Sequence, residues 1–241
     1  MKKKIEFSLN YSKKTRKKKD IKFIVFHYTG MQSEIESLKR LKDRNSQVSC
    51  HYLISRNGNI ISLVEDTKIA WHAGKSKWGK FVNLNKNSIG IELVNKGHEL
   101  GYQNFPKSQI NSLIKLCLTL KRKYKIKNVN FLGHSDIAPL RKMDPGEKFP
   151  WKKLSKFKIG SWYPENIENA KNNKNLKSKN TFFRNLKKIG YKYFNTSKRA
   201  KNDKFIIKAF QQRYIPKKIT GKIDQKNVKI SHYLANSTKS T

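Results

Sequence analysis

Short apolar runs in the first two-thirds of the chain predict buried β-strands. Residues 21–30 (IKFIVFHYTG) and 87–95 (NSIGIELVN) are rich in β-branched and aromatic side chains, which favour strands. Residues 48–64 contain two further apolar runs around an Asn-Gly dipeptide, which is typical of a tight hairpin turn. Residues 129–136 predict a short strand that ends in a loop.

Helices are predicted between these strands. Residues 33–41 predict a short helix. In residues 108–124 the apolar side chains recur at helical spacing, and we expect Ser108 to cap the N-terminus of this helix. Cys117 lies on its apolar face, so we expect a small core residue there rather than a reactive thiol.

The last third of the chain is predicted to form a linker followed by a helical unit. Residues 161–180 are rich in Lys and Asn and nearly devoid of large apolar side chains, which is typical of a linker. Residues 181–241 predict three helices, the first closed by Gly190 and the third capped by Asp224. We expect truncation after Trp162 to leave a folded protein. The helical unit would have its own core, formed by Phe183, Leu186, Ile206, Phe210 and Leu234.

These elements predict a mixed α/β fold, with a central β-sheet flanked by helices and a small three-helix C-terminal domain. We divide the chain into a basic lead-in at 1–20, an α/β domain at 21–160, a linker at 161–180 and the helical domain at 181–241. No apolar run approaches the roughly 20 residues that a membrane-spanning helix needs, which excludes an integral membrane protein of that type.

The chain is strongly basic, with 55 Lys and Arg against 16 Asp and Glu and a formal net charge of +39. Such a charge favours polyanions, including nucleic acids and anionic wall polymers. However, 46 of these cations are lysines, whereas base-edge and bidentate phosphate contacts favour arginine. We therefore expect no specific nucleic-acid partner, and attribute the charge to codon bias and a solvated surface.

Two histidines stand where strands are predicted to end. These are His27 and His134, and Asp144 follows ten residues after the second. Two histidines and one carboxylate suit a catalytic Zn²⁺, which takes three protein ligands and keeps an open position for water. The alternative is that each is structural, because this spacing alone is weak evidence.

Five blocks of sequence then resemble a known family. IVFHYTG, SCHYLISRNGNI, AWHAG, SIGIELVN and GHSDIAPLRKMDPGEKFPW closely resemble the zinc-dependent N-acetylmuramoyl-L-alanine amidases of the type-2 amidase family, which are related to the peptidoglycan recognition proteins. The resemblance runs from about residue 21 to residue 151. The C-terminal AFQQRY and the turn from Gly221 to Asp224 resemble the small peptidoglycan-binding domain often fused to these amidases.

The resemblance implies the residues of a site. It implies one Zn²⁺ per chain, held by His27, His134 and Asp144. It also implies Glu92 as the catalytic base and Lys142 as a positive charge beside the developing oxyanion. The strand period places Glu92 opposite the isoleucines of its strand, on a face where a carboxylate could line a cleft.

The remaining histidines and one tryptophan receive lesser roles. The resemblance implies Trp71 and His72 as substrate contacts. We expect His51 to be a structural residue of a strand, and His98 and His232 to lie at the surface.

The function implied by the resemblance is hydrolysis of the amide between N-acetylmuramic acid and L-alanine of the stem peptide, in bacterial wall turnover or muropeptide recycling. The alternative is a catalytically silent peptidoglycan sensor, which would lack a metal ligand, and none is missing here. We expect a monomer whose partners are peptidoglycan or muropeptides. The N-terminus shows no signal peptide, which predicts a cytoplasmic location, with the periplasm or cell envelope as the alternative.

Overall fold

The computed structural model describes residues 3–169 and 179–237, which form a six-stranded mixed β-sheet, two small two-stranded sheets and flanking helices. The strands are β1 (Lys3–Ile5), β2 (Tyr11–Thr15), β3 (Phe23–Tyr28), β4 (Tyr52–Ile54), β5 (Ile60–Ser62), β6 (Lys68–Ala70), β7 (Lys77–Trp78), β8 (Phe81–Val82), β9 (Ser88–Leu93) and β10 (Phe131–Gly133). The helices are α1 (Glu34–Lys42), α2 (Lys107–Tyr124), α3 (His134–Ile137), α4 (Trp151–Ser155), α5 (Lys179–Ile189), α6 (Asp203–Tyr214) and α7 (Gln225–Ser237). Within these described ranges, none of the helices combines the length and apolar character needed to cross a bilayer.

The large sheet has the strand order β1-β5-β4-β9-β3-β10. All neighbours are parallel except β4 and β5, which form the predicted antiparallel hairpin. Because β9, β3 and β10 are parallel, their carboxyl ends meet at one edge of the sheet, where ligands bind in open α/β folds. The loop predicted after the last strand is wrong, because the short helix α3 begins there at His134.

The segment predicted as a separate lead-in belongs to the α/β domain. Strand β1 pairs with β5 at the edge of the large sheet, and β2 pairs with β6. Arg16 is buried, and its guanidinium donates to the carbonyls of Asp66 at 2.9 Å and Ser88 at 2.6 Å. The boundary at residue 21 was wrong because the alternating Phe7 and Leu9 are exposed while Ser8 between them is buried, so the segment is held largely by backbone and arginine hydrogen bonds rather than by an apolar face.

Helix α2 covers one face of the large sheet. Its Leu113 and Cys117 belong to the same buried cluster as Ile24 and Phe26 of β3, which confirms Cys117 as a core residue. Ser108 does not cap this helix: α2 begins at Lys107, and the Ser108 hydroxyl instead donates to the carbonyl of Arg56 at 2.8 Å.

The helices α5, α6 and α7 pack on the opposite face of the sheet, so the prediction of a self-contained C-terminal core is wrong. Phe23 and Val25 of β3 belong to the same buried cluster as the five residues assigned to that core. Those five are Phe183, Leu186, Ile206, Phe210 and Leu234. Helical periodicity shows which side of each helix is apolar, but it does not show that this side also reaches the sheet.

Polar contacts tie the C-terminal helices to the sheet as well. The Arg213 guanidinium of α6 forms a buried ion pair with Asp136 of α3. The Tyr191 hydroxyl donates to the other carboxylate oxygen of Asp136, and its ring packs edge-on against Trp78 at 4.8 Å between centroids. Of the predicted linker, residues 170–178 lie outside the described residues, and Ile167 before them is buried in the shared core.

Candidate metal and active site

The carboxyl ends of β3, β9 and β10 meet at a cleft. His27 lies near the end of β3, directly beside Glu92 in the register of β3 with β9. His134 follows β10 as the first residue of α3. Asp144 lies on the loop after α3, where its carbonyl accepts a hydrogen bond from the Ser135 N–H at 2.8 Å. The fold therefore brings together the three predicted metal ligands and the predicted catalytic carboxylate.

Three buried side chains direct ligand atoms at a common point. His27 Nδ1 lies 3.0 Å from His134 Nδ1 and 2.9 Å from Asp144 Oδ2. His134 Nδ1 lies 3.0 Å from the same carboxylate oxygen. Two imidazole nitrogens and a carboxylate oxygen at the corners of a small triangle could hold a metal ion.

The protonation states of these groups suit metal binding. Burial, together with the positive charge available to His134, lowers the pKa of His27 to about 4, so its imidazole is neutral near pH 7. Burial opposes ionisation of Asp144, but His134 and His27 outweigh it and hold the pKa of Asp144 well below its usual range. A metal ion requires this combination of deprotonated imidazole and ionised carboxylate.

Glu92 is more deeply buried than its strand pattern suggested, because the central strand β9 is covered on both faces. Its side chain lines the cleft, and Oε2 has no hydrogen-bond partner among the described residues. Burial, reinforced by the nearby charge of Asp144, raises the pKa of Glu92 to about 8. The site therefore holds two carboxyl groups in opposite states at neutral pH, one ionised at Asp144 and one that can carry a proton at Glu92.

The cleft above these residues has a volume of about 390 Å³. Lys142 is exposed on its rim, and its positive charge lowers the pKa of Glu92, opposing the effect of burial. Arg141, which the sequence did not single out, also lines the cleft, and its guanidinium lies 3.3 Å from His134 Nε2. Its position between the strand-end histidine and the aspartate ligand is a signal that could have identified it.

The two residues implied as substrate contacts occupy different places. His72 is buried and lines the cleft, with Nδ1 3.1 Å from His27 Nε2. Trp71 is half-buried, is not part of the cleft lining, and donates through its indole N–H to the Ser12 hydroxyl at 3.2 Å. Both residues lie in the bend that follows β6, which ends at Ala70.

The other histidines fall partly where expected. His51 is fully buried and accepts a hydrogen bond from the Gly90 N–H at 3.0 Å, and His232 is exposed. The surface prediction for His98 is wrong. It lines the cleft, where its Nδ1 lies 2.9 Å from the Tyr28 hydroxyl and its Nε2 lies 3.0 Å from a Glu147 carboxylate oxygen.

The region around the site matches a described family. A family model described as N-acetylmuramoyl-L-alanine amidase matches residues 17–147, which is more than half of the chain. The match begins four residues before the boundary predicted at residue 21 and includes all the predicted metal-binding and catalytic residues.

Individual relatives agree with this match. The N-acetylmuramoyl-L-alanine amidase AmiD of Escherichia coli is 42% identical over 154 residues, covering 59% of this chain and 55% of that protein. The 1,6-anhydro-N-acetylmuramyl-L-alanine amidase AmpD of Haemophilus influenzae is 40% identical over 108 residues, covering 44% and 56%. The chain thus spans about half the length of the curated relatives it matches.

A solved structure extends the similarity along the chain. It is the complex of Escherichia coli AmiD with the substrate anhydro-N-acetylmuramic acid-L-Ala-D-gamma-Glu-L-Lys, at a TM-score of 0.80 and 31% identity. The superposition covers 94% of this chain and 92% of that chain, so it includes C-terminal helices as well as the sheet.

Proposed function

The chain belongs to the N-acetylmuramoyl-L-alanine amidase family, and from this membership we propose that it hydrolyses the amide bond between N-acetylmuramic acid and L-alanine of the stem peptide. The observation that carries the proposal is the convergence of His27, His134 and Asp144 within 3.0 Å of one another, beside the protonatable Glu92. A metal site next to a carboxyl group of raised pKa combines an activated water with an acid–base group, which suits amide hydrolysis.

Zn²⁺ is the ion we propose for this site. With zinc–ligand distances of about 2.0–2.1 Å, a tetrahedral ion separates its ligands by roughly 3.3 Å. The observed separations of 2.9 and 3.0 Å are close to that value. The donor set of two imidazoles and one carboxylate also leaves the fourth position open, as in catalytic zinc sites.

Zn²⁺, when bound, would lower the pKa of a coordinated water toward 7 and polarise the scissile carbonyl. Glu92 takes the proton of the attacking water and delivers it to the leaving amine. Its pKa of about 8 lies near neutral pH, where a group can both accept and donate a proton efficiently. Lys142, on the rim of the cleft, supplies positive charge where the carbonyl oxygen becomes negative.

A silent peptidoglycan sensor is the alternative function. Such a protein would retain the cleft but not the full set of groups for hydrolysis. The complete ligand triangle and the unpartnered Glu92 carboxylate oxygen, in the part of the chain that the structure describes, favour the enzyme.

The test is product analysis by mass spectrometry. The purified protein is incubated with intact sacculi and, separately, with 1,6-anhydro-muropeptides. Release of a stem peptide with a free L-alanine amine supports the proposal, and the faster substrate identifies wall turnover or recycling. Glu92→Gln should keep zinc but lose most turnover, whereas Asp144→Ala should lose both together. Binding of both substrates without any cleavage by zinc-loaded protein would favour the sensor.

The C-terminal helices are proposed to bind the wall polymer. A groove of about 500 Å³ on these helices is lined by lysines, including Lys217 and Lys218, and by Asp224. Because these helices share the core of the sheet, the test uses the full chain. Lys217→Glu should weaken pelleting with sacculi at low salt, and the difference from the wild type should shrink at about 0.5 M salt, where exposed charge attraction is largely screened. Cleavage of small muropeptides should be unchanged, and equal pelleting of both proteins at low salt would contradict the role.

A further inference from the structure

Both candidate metal-binding histidines turn their second ring nitrogens toward one short segment. His27 Nε2 lies 3.1 Å from His72 Nδ1, and His134 Nε2 lies 3.2 Å from the carbonyl oxygen of Ala73. The Arg141 guanidinium donates to the same carbonyl at 2.5 Å, so both groups share one acceptor. The backbone N–H groups of His72 and Ala73 both donate to Asn85 Oδ1, at 3.1 and 2.7 Å. A single amide side chain therefore holds the two residues that contact both histidines from behind.

The hydrogen bonds through His72 run in one consistent direction. The Ser88 hydroxyl donates to the carbonyl of Leu84 at 2.6 Å, so its oxygen is available to accept from His72 Nε2 at 3.2 Å. With its hydrogen on Nε2, His72 presents a bare Nδ1 that accepts from the Nε2–H of His27. His27 then has no hydrogen on Nδ1, the atom that faces Asp144.

The packing around His72 leaves its ring little freedom. The side chain is buried, and a Cβ atom at position 90 would lie 2.3 Å from its Cγ, so the ring position requires Gly90 on the adjacent strand. His72 thus lines the wall of the cleft with both ring nitrogens engaged, Nδ1 by His27 and Nε2 by Ser88. A partner of this kind fixes the tautomer and orientation of a ligating imidazole.

We propose that His72 is a positioning residue which, together with the Ala73 carbonyl, fixes His27 and His134 in the form that carries hydrogen on Nε2 and leaves Nδ1 free for the metal. The inference rests on the metal site of the proposed function. It assigns His72 a role behind the ligands, in place of the substrate contact that the sequence implied.

The test compares two nearly isosteric substitutions. His72→Leu removes the acceptor for the His27 N–H, whereas His72→Asn keeps an oxygen near the position of Nδ1. Zinc affinity is measured by competition with a chromophoric chelator on proteins shown to be folded by circular dichroism. We expect His72→Leu to bind zinc roughly 10–100-fold more weakly and His72→Asn to recover most of this loss.

His51→Leu is the matched control, because His51 is equally buried and its ring lies 5.6 Å from that of His72 without touching a ligand. Its zinc affinity should equal that of the wild type. If His72→Leu does not fold, Ser88→Ala keeps the ring but removes the acceptor for its Nε2–H, and should still lower affinity several-fold.

Long-range ¹H–¹⁵N spectra of the zinc-loaded wild type give a second readout, independent of substitution. They should show His72 neutral, with its hydrogen on Nε2. A hydrogen on His72 Nδ1, or wild-type zinc affinity in His72→Leu, would overturn the inference while leaving the amidase proposal intact. Tight zinc binding without cleavage of any muropeptide would instead refute the proposed function alone.

Discussion

Replacing Arg213 with methionine should destabilise the whole protein, because it leaves a charge buried without its partner. The side chains of Arg213 and Asp136 are 4% and 0% exposed. Arg213 also donates to the carbonyl of Phe131 at 3.1 Å and stacks on the Trp151 ring at 3.9 Å. Removing one partner of a buried ion pair typically costs about 3–5 kcal/mol, a large share of the roughly 5–15 kcal/mol that stabilises a folded protein.

Thermal and urea unfolding measure this loss. For a protein of this length, about 3–5 kcal/mol corresponds to a fall in melting temperature of roughly 6–20 °C. Circular dichroism reports the helices, and tryptophan fluorescence includes Trp78, which lies against Tyr191 at the junction. The two signals should change together, because the sheet and the C-terminal helices share one core.

Lys218→Met is the control, since it breaks an ion pair with Asp224 on the same group of helices. Those side chains are 61% and 35% exposed, so the change should stay within about 0.5 kcal/mol. An Arg213→Met protein within 1 kcal/mol of the wild type would refute the reasoning. So would two separate unfolding transitions, because they would mean that the C-terminal helices fold as a unit of their own.

Three further outcomes follow from the same structure. Truncation after Trp162 should give a chain with a much lower melting temperature or one that aggregates, because it uncovers Phe23 and Val25; a truncated chain that melts like the full chain would contradict this. A chelator should abolish amidase activity and added Zn²⁺ should restore it, with zinc content measured by elemental analysis in both states. Glu92 holds a proton in the folded state up to a pH of about 8 but loses it near pH 4.5 when unfolded, so its burial costs stability increasingly as pH rises between these values. In metal-free protein, the stability of Glu92→Gln relative to the wild type should therefore increase by about 1.4 kcal/mol per pH unit in that window. A difference in stability that does not change with pH would show that the pKa of Glu92 is not raised.

Local pattern was sufficient for most elements of the fold. The short β-branched runs became β3, β4, β5, β9 and β10, and the apolar spacing of residues 108–124 became α2. The strands near the N-terminus were missed because β1 and β2 are stabilised by backbone pairing with distant strands, and the alternating apolar side chains of this segment lie exposed rather than in the core.

For the candidate site, the sequence predicted the residues but not the chemical state of each side chain. Strand-end positions and spacing pointed to His27, His134 and Asp144 as a possible metal site, and the family resemblance supplied Glu92 and Lys142. The raised pKa of Glu92 could not be derived from the sequence, because it depends on β9 lying in the middle of the sheet with cover on both sides. The role inferred for His72 likewise depends on a hydrogen-bond direction set by Ser88, which is sixteen residues away in the chain.

The pairing of Asp136 with Arg213 also orders events during synthesis of the chain. The two residues are 77 positions apart. At about 5–20 residues per second, a ribosome needs roughly 4–15 seconds to add that stretch. Throughout this interval the turn that carries His134 exists without the cation that pairs with Asp136 in the folded protein. The ion pair that holds the turn beside the candidate metal site can therefore form only after α6 has been synthesised.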